Sequence, residues 1–314
     1  MAMQIKYIIR QFLKKVARPY LLFKRKKTGR EIKKMKENPK ELASFLYRKT
    51  FGRSINWENP TEWNEKLRWL QFNTDTTAWS LLADKYLVRD YLQQRGYGDI
   101  LTKLYGVWDK AEEIDFDALP QSFVLKTNHG YGEVLVVRDK TKISIEDVRD
   151  KINQYLNTPF GNETAELHYL TIPPRIIAEE LLPADSSFSS SIVDYKFYCF
   201  SGKPLICGVY FDRNPLTHKT SSIFYDMDWK KRPEWKNPIL KQFNTNVPKP
   251  KTFDLMKSTC ESLCKDLPFC RLDFYEAKGK MYFGEFTFTP ASCSGGSLNP
   301  KMFNDLGRLI KIKK

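Results

Sequence analysis

The chain has 314 residues, 41% hydrophobic and 14% aromatic, with a formal charge of +15. That is enough apolar material for a large core, and it excludes an intrinsically disordered chain. Six cysteines at this length exclude a disulfide-stapled mini-domain.

Cys199, Cys207, Cys260, Cys264, Cys270 and Cys293 include no Cys-x-x-Cys pair and read as reduced, buried or incidental thiols. No stretch approaches the ~18 apolar residues of a membrane-spanning helix. Lys6, Arg10, Lys14 and Lys15 interrupt the first apolar stretch before a signal peptide forms. The expectation is a cytoplasmic protein. Its positive charge suits acidic partners: anionic lipid, nucleotide phosphates, acidic sugars or nucleic acid.

Residues 1–36 hold thirteen Lys and Arg against the single acid Glu31, so this arm carries most of the charge. Ile5, Ile8, Ile9, Phe12, Leu13 and Val16 recur at helical spacing until Pro19. Two readings compete: a helix lying on an anionic membrane surface, favoured slightly, and a helix docked on the protein's own core. Nucleic-acid binding is the least favoured partner.

Residues 38–105 read as helical, with Trp63, Leu67 and Leu70 on neighbouring turns and an amphipathic helix from Asp84 to Leu92 ended by Gly96 and Gly98. From Gly106 the period becomes two. Strands are expected at Phe123–Leu125, Val134–Val137, Ile176–Ala178, Asp194–Cys199, Pro204–Phe211, Ile223–Tyr225, Arg271–Tyr275 and Met281–Phe288. Helices are expected at about Ile145–Leu156 and Thr252–Lys265. Hairpins outnumber strand–helix alternations, so the fold class is α+β and not a doubly wound sheet.

Three clusters can carry chemistry. Lys126 ends a strand beside the loop Asn128-His129-Gly130-Tyr131-Gly132, which would place an ammonium and free N–H groups near one point, as a polyphosphate needs. It is not a P-loop, and an ordinary hairpin with an exposed lysine fits as well. Glu179-Glu180, closing a buried strand before Leu182, suits ribose hydroxyls or is simply an acidic turn. Arg271 and Asp273 share one strand face, and Glu285, Thr287 and Thr289 share the next. A turn near Ala277 to Lys280 can set Asp273 opposite Glu285, and two facing carboxylates need a cation, a shared proton or an arginine. Mg²⁺ fits such oxygen ligands; a structural salt bridge to Arg271 is the alternative.

In this order the clusters resemble the ATP-grasp superfamily, and within it the TupA-like ATP-grasp family of polysaccharide and teichuronopeptide biosynthesis. The residues carrying the likeness are 61–70 (TEWNEKLRWL), 83–91 (ADKYLVRDY), 119–132 (LPQSFVLKTNHGYG), 194–202 (DYKFYCFSG), 271–275 (RLDFY) and 284–290 (GEFTFTP). The resemblance implies two α+β lobes clamping ATP after a helical N-terminal region, and carboxylate–amine ligation through an acyl phosphate. The expected organisation is a basic arm at 1–37, a helical region at 38–105, a first lobe with the phosphate loop at 106–180 and a second lobe with the metal site at 181–314. By the same resemblance Lys85 and Lys126 would hold the ATP phosphates and His129, Gly130, Tyr131 and Gly132 would close over them. Glu179, Glu180 and Leu182 would bind adenine and ribose, Asp273, Glu285 and Thr287 would bind Mg²⁺, and Arg271 would steady the acyl phosphate. Thr287 stands where most ATP-grasp enzymes have asparagine.

Asp194 and Lys196 share a strand face, which places Lys196 in the cleft against phosphate or an acidic substrate. Arg213 and His218 are further substrate candidates, and His168 is read as structural. The expected reaction joins an amino acid by an amide to a carboxylated sugar of a surface polysaccharide, with ATP and Mg²⁺, at the inner face of the membrane. Its rivals are a glycosyltransferase, sugar-modifying transferase or sugar kinase of the same pathway, and a non-catalytic glycan-binding scaffold at the membrane.

Overall fold

A computed structural model describes residues 37–184, 188–214, 217 and 219–312, so the basic arm 1–36 and His218 lie outside the described residues. Helix α1 (Pro39–Phe51) starts where the Asn38 side chain accepts from the Glu41 N–H, and ends at Gly52 in a left-handed conformation. Helix α2 (Trp63–Asn73) buries Trp63, Leu67 and Leu70 as a stripe. The Trp63 ring meets Tyr198, Phe269 and Phe303. After α3 (Thr77–Ala83), helix α4 spans Leu87–Gln94 and so starts later than expected. Asp84 Oδ1 accepts from the N–H groups of Tyr86 and Leu87 at 2.8 and 3.1 Å and stops the helix from extending back. Lys85 therefore sits in a turn, not on a helix face.

The strands form two antiparallel sheets. In the first, β1 (Leu104–Trp108), β2 (Phe123–Thr127), β3 (Val134–Val137) and β4 (Ile176–Glu179) lie in the order β1-β4-β2-β3. Strand β1 crosses the expected boundary at 105. Helix α5 (Ile145–Leu156) carries Ile152 into a small core with Phe116, Phe123, Leu125 and Val137 behind this sheet.

In the second sheet, β5 (Asp194–Phe200), β6 (Lys203–Phe211), β7 (Ser221–Tyr225), β8 (Phe269–Ala277) and β9 (Lys280–Thr287) lie in the order β7-β6-β5-β8-β9. Helix α6 (Phe253–Leu263) covers one face with Phe253, Met256, Cys260 and Leu263. All six cysteines are buried and free. Helix α7 (Phe303–Arg308) packs on α2 so closely that a Cβ on Gly307 would strike the Thr61 carbonyl. The apolar stripe of α2 thus belongs to the core of the second sheet, while Arg68 on the same helix reaches the carbonyls of Thr164, Ala165 and Ser292 at 2.7–2.9 Å. No helix among the described residues is long and apolar enough to cross a membrane.

Candidate active site

The β8–β9 hairpin positions its charges through a bulge. Pairing counted from Ala277 and Lys280 would set Asp273 opposite Gly284. The register shifts between Asp273 and Phe274, so Asp273 faces Glu285 and Arg271 faces Thr287. Glycine is required there, because a Cβ on Gly284 would lie 2.8 Å from the Asp273 carbonyl oxygen. The result is an ionic network on one face. Arg271 grips Asp273 with two bonds of 2.7 Å and reaches Glu285 Oε1 and the Thr287 hydroxyl at 3.0 Å each. Across the sheet Lys196 pairs with Asp273, and it sits 2.6 Å from Asp194.

The two aspartates diverge although they share Lys196. Burial opposes the charge of both. Asp273, held by Arg271 and Lys196 together, stays below the usual carboxylate range. Asp194 has Lys196, with Arg213 only at 3.6 Å, and burial pushes it up. Burial also opposes the Lys196 charge, but Asp194 and Asp273 raise its pKa above the ordinary lysine value. Lys196 is therefore buried between two acids, and Arg213 is an exposed residue at the edge of this network.

On the first sheet, Lys126 and Glu179 form an ion pair of 2.5 Å, and Arg89 from α4 holds Glu179 from the other side at 3.1 Å. Arg89 also donates to the Thr102 carbonyl at 2.5 Å. Glu180 differs: its backbone N–H and its carboxylate bond the carbonyl and N–H of Lys103 at 2.9 Å each, which prolongs the β1–β4 pairing. Leu182 is half-buried just past β4.

The loop between β2 and β3 splits its side chains. Asn128 is fully buried and ties the loop to the Pro173–Arg175 segment through three hydrogen bonds of 2.7–3.0 Å. His129, which the sequence places at the nucleotide, turns inward: its Nε2 lies 3.2 Å from the Thr158 carbonyl and its ring packs edge-on to Phe160. Burial lowers its pKa. Tyr131 is 49% exposed, packs on Phe160 and pairs with the Ser292 side chain, joining this loop to the segment after β9. Gly132 is left-handed, with open space where a side chain would stand.

Lys85 connects the two sheets. Its N–H donates to the Asn128 carbonyl and its ammonium to that of Gly130. Burial lowers its pKa; Glu285 opposes that shift, Lys126 adds to it, and Glu179 opposes it. Lys85 thus lies within electrostatic reach of Glu285 of the second sheet as well as of Lys126 and Glu179 of the first.

Sequence reasoning missed several residues here. Arg89 lies in the 83–91 block and Asn128 opens the candidate loop, but the sequence assigns neither its partner. Glu133 accepts from Thr127 at 3.2 Å and is raised by burial. Glu166, buried, accepts from Thr289 at 2.5 Å and from Ser292 at 3.0 Å. Thr289 therefore leaves the face shared by Glu285 and Thr287. Tyr169 lies buried among the charges of Glu166, Glu285 and Arg271. Just after β9, Ala291, Ser292 and Cys293 hold φ values of 49°, 52° and 57°. Left-handed non-glycine residues cost roughly 1–2 kcal/mol each, and Glu166 and Arg68 hold this turn in place.

This order of elements is matched by the family model described as TupA-like ATPgrasp, over residues 65–311. The chain belongs to the TupA-like ATP-grasp family. Its two antiparallel sheets and covering helices give it an α+β fold. No curated protein matches it. Among solved structures it is similar to a D-alanine–D-alanine ligase from Bacillus anthracis, at 16% identity over 80% of this chain and 69% of that one, TM-score 0.42. A D-alanine–D-alanine ligase from Helicobacter pylori shows 14% identity over 80% and 70%, TM-score 0.43. An L-amino acid ligase from Bacillus licheniformis shows 13% identity over 81% of this chain and 54% of its own, TM-score 0.42.

The structure shows the salt-bridge alternative, with Arg271 on Asp273, Glu285 and Thr287, so these oxygens would hold Mg²⁺ only once Arg271 releases them. No group of three or more carboxylate, thiol or imidazole ligands occurs among the described residues. Asp273, Glu285 and the Thr287 hydroxyl supply hard oxygens on one hairpin face, and Glu285 is the most open of the three acids in the network, at 25% side-chain exposure. A cation held there would complete its shell with water and phosphate oxygens, as Mg²⁺ does.

Proposed function

We propose that this chain is an ATP-grasp ligase that joins an amino acid through an amide bond to a carboxylated sugar of a surface polysaccharide. One observation carries the reading: within a chain matched by the TupA-like ATP-grasp model, Lys126 pairs with Glu179 on the first sheet and Arg271 binds Asp273 and Glu285 on the second, which supports a nucleotide site supplied by both. Lys85 and Lys126 hold the ATP phosphates, with the N–H groups of residues 130–132 around them. Glu179 receives the ribose hydroxyls, with Arg89 keeping it in place when Lys126 turns to phosphate. Asp273, Glu285 and Thr287 hold Mg²⁺, which offsets the charge of the transferring phosphoryl group.

A carboxylate oxygen of one substrate attacks the γ-phosphorus and ADP leaves. The amine nitrogen of the other then attacks the acyl carbon, phosphate leaves and the nitrogen loses a proton. Arg271, which spans Asp273, Glu285 and Thr287 in the structure, releases Glu285 and Thr287 to Mg²⁺ and turns to the negative oxygens of the acyl phosphate. Lys196 keeps Asp273 ionised, and Arg213 with Asp194 marks the rim facing the acidic sugar. The acyl phosphate hydrolyses in water, so closure of the Tyr131 loop against Ser292 protects it.

The test is an incubation with ATP, Mg²⁺, mixed amino acids and nucleotide-linked hexuronates. ADP release with an amide product is expected. Nucleotide-sugar consumption without ADP would replace the ligase reading with a glycosyl transfer, and a phosphorylated sugar with no amide would replace it with a kinase.

A further inference from the structure

Between β7 and α6 the chain runs through residues 226–252 with one short 3-10 turn and no longer element. This segment contains the most exposed large apolar residue described, Ile239 at 85%, followed by exposed Leu240. An isoleucine in water usually lies on a poorly ordered tip; this one is held. The Leu240 N–H donates to the Asn237 carbonyl at 3.0 Å, and the Ile239 N–H to Asn237 Oδ1 at 3.2 Å. Beneath the turn, buried Lys236 donates to the carbonyls of Ser222 and Lys241 at 2.6 and 2.5 Å. The base is pinned to the segment after β9: Asn237 N–H to the Ser297 carbonyl, and Asn299 N–H to the Trp235 carbonyl, both 2.8 Å.

The charge around this tip is distinctive. Outside the arm 1–36 the chain is close to neutral, yet residues 226–251 hold seven Lys and Arg against three acids. Of those acids, Asp226 and Glu234 are engaged by Arg232. Lys230, Lys241 and Lys249 are exposed.

We propose that the Asn237–Leu240 turn docks on an anionic lipid surface, with Ile239 and Leu240 entering the acyl boundary and the surrounding lysines meeting phosphate headgroups. A preformed aliphatic tip on a segment rich in exposed lysines, of which Lys249 pairs with Asp254 at 3.2 Å, matches both layers of such an interface. Docking would also bring the segment after β9, and with it the cleft, to the membrane. The turn is distant in sequence from the basic arm, and the proposal does not depend on the ligase reading.

The full chain tests it. With the native thiols buried, Ile239→Cys carries an environment-sensitive fluorophore, and Lys142→Cys on the first sheet's side carries it as reference. On vesicles of phosphatidylglycerol and phosphatidylcholine, the label at 239 should shift to the blue and be quenched by lipids bearing a chain-borne quencher. The label at 142 should do neither. The double variant Ile239→Ser/Leu240→Ser should bind these vesicles about tenfold more weakly at unchanged ATP turnover in solution. An unshifted, unquenched label at 239 overturns the proposal, whether or not the arm alone brings the chain to the vesicles.

Discussion

Asp273 is 1% exposed and touches two cations; Lys126 is 18% exposed and touches one carboxylate. The same contrast holds for the two sheets at large. The second fixes its charges on three adjacent strands, locked by a bulge, so each is held by several others. The first supplies its charges from a strand end, a loop and the turn before α4, each with one or two partners. The lesson is that the charges of the second sheet are preorganised, while those of the first are free to change partners, as the proposed phosphate-binding role requires.

Substitutions can break this contrast. The largest effect is expected from Asp273→Ala, which leaves Arg271 and Lys196 buried beside too little negative charge. Unfolding in urea should show a loss of about 3–5 kcal/mol. Lys126→Ala, in the open half, should change stability by no more than about 1 kcal/mol. Comparable losses for both would erase the distinction.

Next in size is a catalytic effect without a structural one. Glu285→Gln and Lys126→Ala should each lower ADP release about 10²–10³-fold while leaving the urea midpoint nearly unchanged. Wild-type turnover in either variant removes its residue from the chemistry.

A third effect concerns the packing near the junction. His168 is buried against Trp79, Tyr169 and Phe288, and burial lowers its pKa to about 3. Its folded value lies below its unfolded one, so the unfolded chain binds the proton first. Stability is full above the unfolded value of about 6.5 and falls as pH drops toward 3. Between pH 7 and 4.5 the loss from this residue should reach about 2–3 kcal/mol. In His168→Gln that part of the pH dependence should vanish from urea titrations.

The smallest effect is expected from Tyr131→Phe. Removing the hydroxyl that meets Ser292 should raise KM for ATP by roughly fivefold or less, in line with one neutral hydrogen bond. A change in stability of the second sheet would show that the loop is structural instead.

Much of the second sheet was legible because strands obey period two and the turn near Lys278-Gly279 is short. Even so, the pairing of Asp273 with Glu285 needs the bulge at Gly284, which periodicity alone would have placed opposite Asp273. The Ile145–Leu156 helix was read to the residue, since Ser144 caps it and its apolar face is clean. Lys85 was misplaced on a helix because Asp84 reads as a helical residue, whereas its carboxylate accepts from the N–H groups of Tyr86 and Leu87 and holds the chain in a turn there. His129 was assigned to the nucleotide by its place in the loop, but only packing against Phe160 and Thr158 decides which way an imidazole turns. Arg89, Glu166 and the left-handed turn at Ala291–Cys293 depend on contacts distant in sequence, and no local pattern announces them. The amino acid and the sugar have no signature that spacing or charge could carry.

The most direct measurement is calorimetric binding of a non-hydrolysable ATP analogue with Mg²⁺ to the wild type, Lys126→Ala and Glu285→Ala. A single cleft built by both sheets predicts that each substitution weakens binding at least about tenfold, from opposite sides of the same nucleotide. Unchanged affinity in either variant would show that the two sheets do not share one ligand.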